Sequence, residues 1–406
     1  MISHSIQRYM FCLASIQFLV LLSLSSAAAY PLHPTASHIA SQTGRRTIDD
    51  PRIHLIEKVR RNSFRPYEEG VSPQVRYGDA HPWDQTQRRS LSTTTHQPIR
   101  IHFYTKALEG ARGKSDEKDM RIDLLKSEVL PNIANLWSQA LSVVPAKGIR
   151  VPRDACANLL DLDDDLFFED VDLIIAVDSA VNENLGCVTG AGGGTVAIAF
   201  PCQADQYDRP TVGFINFCLD KPIQDAGEMV AIGSHEVGHV LGIAGDFVKF
   251  FRDFDTGKPR TERPFQLVET TCVDGSVREE AGTSPESLSL GITSSGARYY
   301  EVTTPRLATV VRNQFNCTRL KGARLENQPT SSSCFGGHLD ERYYFTELMG
   351  PIFGRFANAL SPVTLAFLED SGWYLANYSS ATPSVFGYGA GCEFVLNVCI
   401  NEGEIP

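Results

Sequence analysis

Two histidines and a glutamate in the stretch Ser234-His235-Glu236-Val237-Gly238-His239-Val240-Leu241-Gly242 have the types and spacing of a hydrolytic metal centre. The pattern is H-E-x-x-H. Residues four apart on an α-helix lie one above the other on one face, so His235 and His239 can aim both imidazoles at a single ion. Glu236 lies about 100° further round the helix, where its carboxylate can reach a water on that ion without taking a ligand position. Two neutral nitrogen ligands, a carboxylate base and an open coordination position are what a zinc hydrolase requires. The competing reading is a pair of polar residues on an ordinary amphipathic helix. Context weighs against it: Met229, Val230, Gly233, Val237, Val240 and Leu241 form a small, apolar stripe that predicts a buried helix from about Asp225.

A catalytic zinc takes three protein ligands plus water. Only one histidine, His338, follows His239, so a downstream histidine ligand must be that residue. The alternative is a glutamate from a second helix, with Glu262 and Glu269 at workable separations. Arg263-Pro264 disfavours a helix running through Glu262, and Glu269 stands beside Thr270 and Thr271. Gly242, three residues after His239, can end the helix and turn the chain. In compact sites of this kind another histidine follows three residues later. That position is Gly245 here, so His338 would arrive after an insertion spanning 243–337.

The elements that must position these residues come from a chain of 406 residues, long enough for two or three folded units. Residues 1–29 read as a secretory signal: Arg8, a mostly apolar run from Phe11 to Leu24, then Ala27-Ala28-Ala29 before Tyr30. The run is short for a membrane span, and no second run of spanning length follows. Cys12 would leave with the signal. The nine cysteines that remain all lie after residue 150 without a C-x-x-C pair, which predicts disulfides and one odd thiol. Asn316-Cys317-Thr318 and Asn377-Tyr378-Ser379 are compatible with glycosylation. The net charge of −11 divides unevenly: residues 1–98 hold 11 Lys/Arg against 7 Asp/Glu, and the rest hold 26 against 41. No basic face argues for nucleic acid, and the acidic body argues against an anionic membrane.

Residues 30–98, rich in Pro, Ser, Thr, His and Arg, read as a pro-segment with dibasic pairs at Arg45-Arg46, Arg60-Arg61 and Arg88-Arg89. Folded structure is expected from Ile99. Ile99, Ile101 and Phe103 alternate as in a strand, and a helix from about Asp116 to Val143 is interrupted by Pro131. The acidic run Asp161–Asp172 matches no EF-hand spacing and reads as a solvated loop. Val171–Val177 and Gly194–Phe200 read as strands, joined through a turn at the glycine cluster 190–194. Thr211–Leu219 is expected as a further strand, at the sheet edge beside the site, where an extended peptide could pair with it. From Gly242 to about Gly337 the composition predicts loops and short strands with little helix. Ser361-Pro362 supplies an N-cap and a first-turn proline for a helix ending near Ser371-Gly372.

The combination His-Glu-x-x-His-x-x-Gly, a distant Gly336-Gly337-His338 and then Glu347-Leu348-Met349-Gly350-Pro351 resembles the leishmanolysin (invadolysin) branch of the metzincin zinc endopeptidases. Val212–Asn216 and Ala366–Tyr374 carry the same resemblance, which covers roughly 99–400. It implies an α+β catalytic domain with a mixed sheet and an active-site helix, plus an inserted and C-terminal part rich in loops and disulfides. On this reading 99–245 form the N-terminal catalytic subdomain, 246–337 an insertion, and 338–406 the third ligand, the methionine turn and a C-terminal helix.

The resemblance implies one Zn2+ per chain held by His235, His239 and His338, with Glu236 as general base. Met349 would stand in the turn beneath the metal, with Met349 and Gly242 as structural support. The implied activity is hydrolysis of protein or peptide substrates by a zinc-bound water, in a protein that is secreted or associated with the cell surface. The alternative is a catalytically silent, metal-containing secreted binding or adhesion protein. Two features depart from the family pattern. Residues 30–155 hold no cysteine to block the metal, and Arg52 of Pro51-Arg52-Ile53-His54 stands where one is expected. The cysteine-rich C-terminal region of the family is cut short at Pro406, and no hydrophobic tail for a lipid anchor is expected.

Overall fold

The computed structural model describes residues 64–66, 74–77, 81–84, 96–160, 162–180, 187, 195–220, 225–327, 334–352 and 358–397. The signal stretch, the three dibasic pairs, Pro51–His54, the glycine cluster and Cys399 lie outside the described residues. Among the described residues no helix is long and apolar enough to cross a membrane.

The elements alternate as an α+β arrangement. In chain order the first part contains β1 (Val75–Tyr77), β2 (Gln97–Pro98), β3 (Ile101–Tyr104), α1 (Lys106–Gly110), α2 (Asp116–Leu124), α3 (Leu130–Ala140), β4 (Leu141–Val143), β5 (Ala146–Val151), β6 (Leu166–Glu169) and β7 (Leu173–Asp178). Then follow β8 (Ala197–Ala204), β9 (Pro210–Phe217) and α4 (Ala226–Val240), which carries the H-E-x-x-H stretch.

The central sheet has the order β3-β7-β9-β8, parallel except for the antiparallel strand β8 at its edge. The run Leu173-Ile174-Ile175-Ala176-Val177 is apolar throughout because both faces of β7 are covered. Leu173, Ile175 and Val177, with Ile215 and Phe217, face the main core beneath α3 and α4; Ile174 and Ala176 face a second cluster containing Ile149 and Val151 of β5.

Four sequence expectations are corrected. The strand at Thr211–Leu219 is real, as β9, but it is internal; the outer strands of that sheet are β3 and β8. The helix from Asp116 stops at Ala140, because Leu141 turns extended and Leu141–Val143 pairs with Gln97–Pro98 and Leu375–Ala376. Before Pro131 that helix widens into a π-turn, Leu125–Val129, a register that accommodates a residue with no N–H to donate. The acidic run is not simply a solvated loop. It contains β6, and the fully buried Asp172 accepts from the Arg100 guanidinium at 2.8 and 3.0 Å and from the Ala146 N–H at 2.7 Å.

The segment after Gly242 also holds more helix than expected. It runs through β10 (Leu267–Thr271), β11 (Val277–Ala281), β12 (Leu288–Ile292) and β13 (Arg298–Val302) to α5 (Pro305–Phe315), followed by β14 (Ala323–Arg324). Leu307, Ala308, Val311 and Phe315 are the buried stripe of α5, and Pro305 opens it. The remaining elements are α6 (Glu341–Tyr344), α7 (Pro362–Asp370), β15 (Leu375–Ala376) and α8 (Cys392–Leu396). As expected, Ser361 caps α7, its side chain accepting from the Val363 N–H at 3.0 Å. Among the described residues, four disulfides join Cys156–Cys202, Cys187–Cys218, Cys272–Cys334 and Cys317–Cys392.

The described parts of 64–84 are docked on this body. Arg65 exchanges backbone hydrogen bonds with Cys202 and Ala204 on the outer edge of β8, and its guanidinium grips Asp154 at 2.8 and 3.1 Å. Strand β1 extends the β5–β6 sheet, and the Tyr77 hydroxyl donates to Asp205 at 2.5 Å. His81 stacks on Tyr207 at 3.8 Å, and Trp83 Nε1 donates to the Phe254 carbonyl.

Candidate metal centre

Helix α4 is fixed in depth by glycines on its packing faces. A Cβ on Gly233 would overlap Ile133 of α3, and one on Gly213 of β9 would overlap Val240, so helix and sheet meet more closely than alanines allow. Asp225 caps the N-terminus, accepting from the Glu228 N–H at 2.8 Å, and Trp137 Nε1 donates to the Ser234 carbonyl at 3.2 Å. His235, Glu236 and His239 are consequently buried.

After Val240 the chain leaves through Gly242, at φ +109°, where a Cβ would also lie 3.1 Å from the Trp373 ring. The Ile243 N–H closes back onto the Gly238 carbonyl at 3.0 Å, the six-to-one bond of a glycine-terminated helix. This turn delivers the Ile243 carbonyl to His239, whose Nδ1 donates to it at 2.8 Å. Gly242 therefore both ends the helix and supplies an acceptor for a ring on it.

His338 arrives from the other side. Leu339 N–H donates to the Met349 carbonyl at 2.9 Å, Leu325 and Leu339 form an antiparallel bridge, and Cys334 is tied to Cys272. Glu347 anchors the turn that follows: fully buried, it accepts from the Thr364 hydroxyl at 2.6 Å, the Ser361 hydroxyl and the Leu348 N–H at 3.2 Å. Burial raises its pKa despite those donors. The held turn aims the Leu348 carbonyl at His235, whose Nδ1 donates to it at 2.7 Å. Met349 is fully buried with its sulfur against Gly238, between the two helix histidines; a Cβ on Gly238 would overlap it.

The third ring is held by a residue that the sequence did not single out. His338 Nδ1 donates to Glu326 Oε1 at 2.8 Å. Burial works to raise the Glu326 pKa, but the adjacent His338 and the N–H groups of Gly337 and His338 outweigh it and the net shift is downward.

All three Nδ1 atoms thus face acceptors, so in the neutral rings each Nε2 presents a lone pair. Burial, with His338 beside it, lowers the His235 pKa to about 3, keeping that ring neutral across the physiological range. The His239 Nε2 lies 3.1 Å from that of His235 and 3.2 Å from that of His338. Three inward-facing acceptors repel one another, and a divalent cation among them converts the repulsion into ligation. Three imidazole nitrogens with their other nitrogens hydrogen-bonded fit a catalytic zinc donor set. Among the described residues these three histidines are the one group whose ligand atoms cluster, within 4.8 Å of one another. Glu262 and Glu269, the alternative third ligands, are exposed and outside it.

A family model described as leishmanolysin, a peptidase family, matches residues 116–405. The leishmanolysin-like peptidase of Drosophila melanogaster is 35% identical over 222 residues, covering 50% of this chain and 31% of the fly protein. That of Drosophila pseudoobscura pseudoobscura is 29% identical over 371 residues, covering 77% and 52%. Leishmanolysin of Leishmania major is 23% identical over 290 residues, covering 69% and 40%. The chain spans about half or less of the length of these relatives.

Proposed function

The chain belongs to the leishmanolysin family of peptidases, and from that premise we propose that it is a zinc-dependent endopeptidase acting on protein substrates. The observation that carries the reading is the convergence of the His235, His239 and His338 Nε2 atoms while every Nδ1 faces an acceptor. These three nitrogens would hold the metal. When bound, zinc supplies Lewis acidity, lowering the pKa of water and polarising the scissile carbonyl.

The chain's own groups do the rest. Glu236, on the helix beside His235, takes the proton of the attacking water on its carboxylate and passes it to the leaving amine. The Leu348 and Ile243 carbonyls and Glu326 fix the ring orientations, so the donor set is organised before substrate arrives. Met349 and Gly242 act as support, one packed against the ligand helix and the other turning the chain beneath it. The four disulfides favour maturation in an oxidising compartment and hence secretion.

The test compares wild type with Glu236→Ala for bound zinc and for chelator-sensitive cleavage of a denatured protein. The expected result is zinc in both proteins and cleavage by wild type alone. Equal cleavage by both would remove Glu236 from the chemistry. Zinc without cleavage, after the N-terminal segment has been trimmed, would point to a binding protein instead.

A further inference from the structure

His338 differs from the other two rings in how it is held. His235 and His239 sit on one helix, are buried, and donate their Nδ1 protons to neutral backbone carbonyls. The side chain of His338 is 28% exposed, comes from a non-helical segment, and donates to a carboxylate. That carboxylate is built in. Glu326 Oε1 accepts from the Gly337 N–H at 2.9 Å, the His338 N–H at 3.1 Å and His338 Nδ1 at 2.8 Å. In return the Glu326 N–H donates to the His338 carbonyl at 2.9 Å. A single residue thus holds the ring and the backbone on its N-terminal side through its carboxylate and the His338 carbonyl through its own N–H, and only 8% of Glu326 is exposed.

We infer that Glu326 is a positioning residue for the third metal ligand, and that its negative charge makes His338 the strongest donor of the three. The inference rests on the metal-site reading given above. An imidazole whose Nδ1 proton is shared with a carboxylate is more electron-rich at Nε2 than one bonded to a carbonyl, because anionic acceptors make the stronger hydrogen bond. The electronic effect therefore compensates where packing is weakest. His235 and His239 are oriented by their helix; His338 is oriented by Glu326.

The chemistry allows charge and geometry to be separated. In Glu326→Gln an amide oxygen can accept the same three N–H groups without the charge, whereas Glu326→Ala removes both. Zinc dissociation constants by competition with a chromophoric chelator, and the visible absorption of the cobalt(II)-substituted proteins, read the site without reference to turnover. Unfolding midpoints of the metal-free proteins check the fold. The expected result is zinc affinity reduced about 10-fold in Glu326→Gln and about 100-fold in Glu326→Ala, with shifted cobalt bands in both. Wild-type affinity and unshifted bands in Glu326→Gln would overturn the inference while leaving the metal site standing. Wild-type protein that binds neither metal would overturn the metal site, and this inference with it.

Discussion

The N–H of Gly245 donates to the carbonyl of Gly336 at 3.0 Å, tying the turn that leaves the His239 helix to the segment that delivers His338. A Cβ at Gly245 would lie 2.6 Å from Phe335 Cβ and 3.0 Å from the Gly336 oxygen, so the strand of backbone carrying the third ligand would have to move away. Gly245→Ala is expected to cost about 1–3 kcal/mol by overpacking. It is also expected to weaken zinc binding, whereas an equally destabilising core change remote from the site is not. Chelator competition beside chemical denaturation separates the two effects; unchanged zinc affinity would show that the Gly245–Gly336 contact does not govern ligand position.

Gly238 lies under the Met349 sulfur, and there alanine's better helix propensity should fail to help. Exchanging an interior helical glycine for alanine gains roughly 1 kcal/mol on propensity alone. Gly238→Ala is instead expected to lower stability by about 1–2 kcal/mol net, because the fully buried Met349 has little room to withdraw. Combining it with Met349→Ala should recover part of the loss, measured as a double-mutant cycle of unfolding free energies.

The docked N-terminal segment should be sensitive to acid. Burial, then Arg209, with smaller contributions from His96 and Arg252, lowers the His81 pKa to about 3, and Asp84 offsets this only in part. A histidine depressed in the folded state contributes stability that is complete above its unfolded value of 6.5 and is lost as pH falls from there towards 3. By pH 5 the loss is about 1–2 kcal/mol. Replacement by Phe, which keeps a ring over Tyr207, should flatten the dependence of unfolding on pH between 6.5 and 4; an unaltered slope would exclude His81 as its source.

Removing the metal should destabilise the folded chain by ordinary linkage. At a free zinc concentration 1,000 times the dissociation constant, binding contributes about 4 kcal/mol. A chelator should therefore lower the melting temperature, and added zinc should restore it. In His338→Ala the chelator-dependent shift should shrink sharply. A shift of wild-type size in that variant would remove His338 from the donor set.

The site was legible in the sequence where its determinants are local. The spacing of His235 and His239 is helical geometry. The glycine at 242 marks a helix end, and Ser361-Pro362 marks a helix start. His338 stood out as the candidate third ligand because no other histidine follows His239, with Glu262 and Glu269 left as alternatives. Helix α5 was missed: Leu307, Val311 and Phe315 have the spacing of a buried stripe, but polar neighbours masked it.

Other features left no comparable mark. Glu326 stands twelve residues before His338 in a segment without periodicity, and the antiparallel backbone pairing around Leu325 and Leu339 brings the two together. The edge position of β8 and the interior position of β9 depend on which strands pair, and two similar apolar runs do not reveal that order. The sequence alone determined which residue types can ligate and where the helix carrying two of them begins and ends, because those follow from short-range stereochemistry. Only the tertiary structure decided what faces each Nδ1, which glycine contacts hold the ligand segments together and how the N-terminal segment docks, because those depend on residues brought together across long stretches of chain.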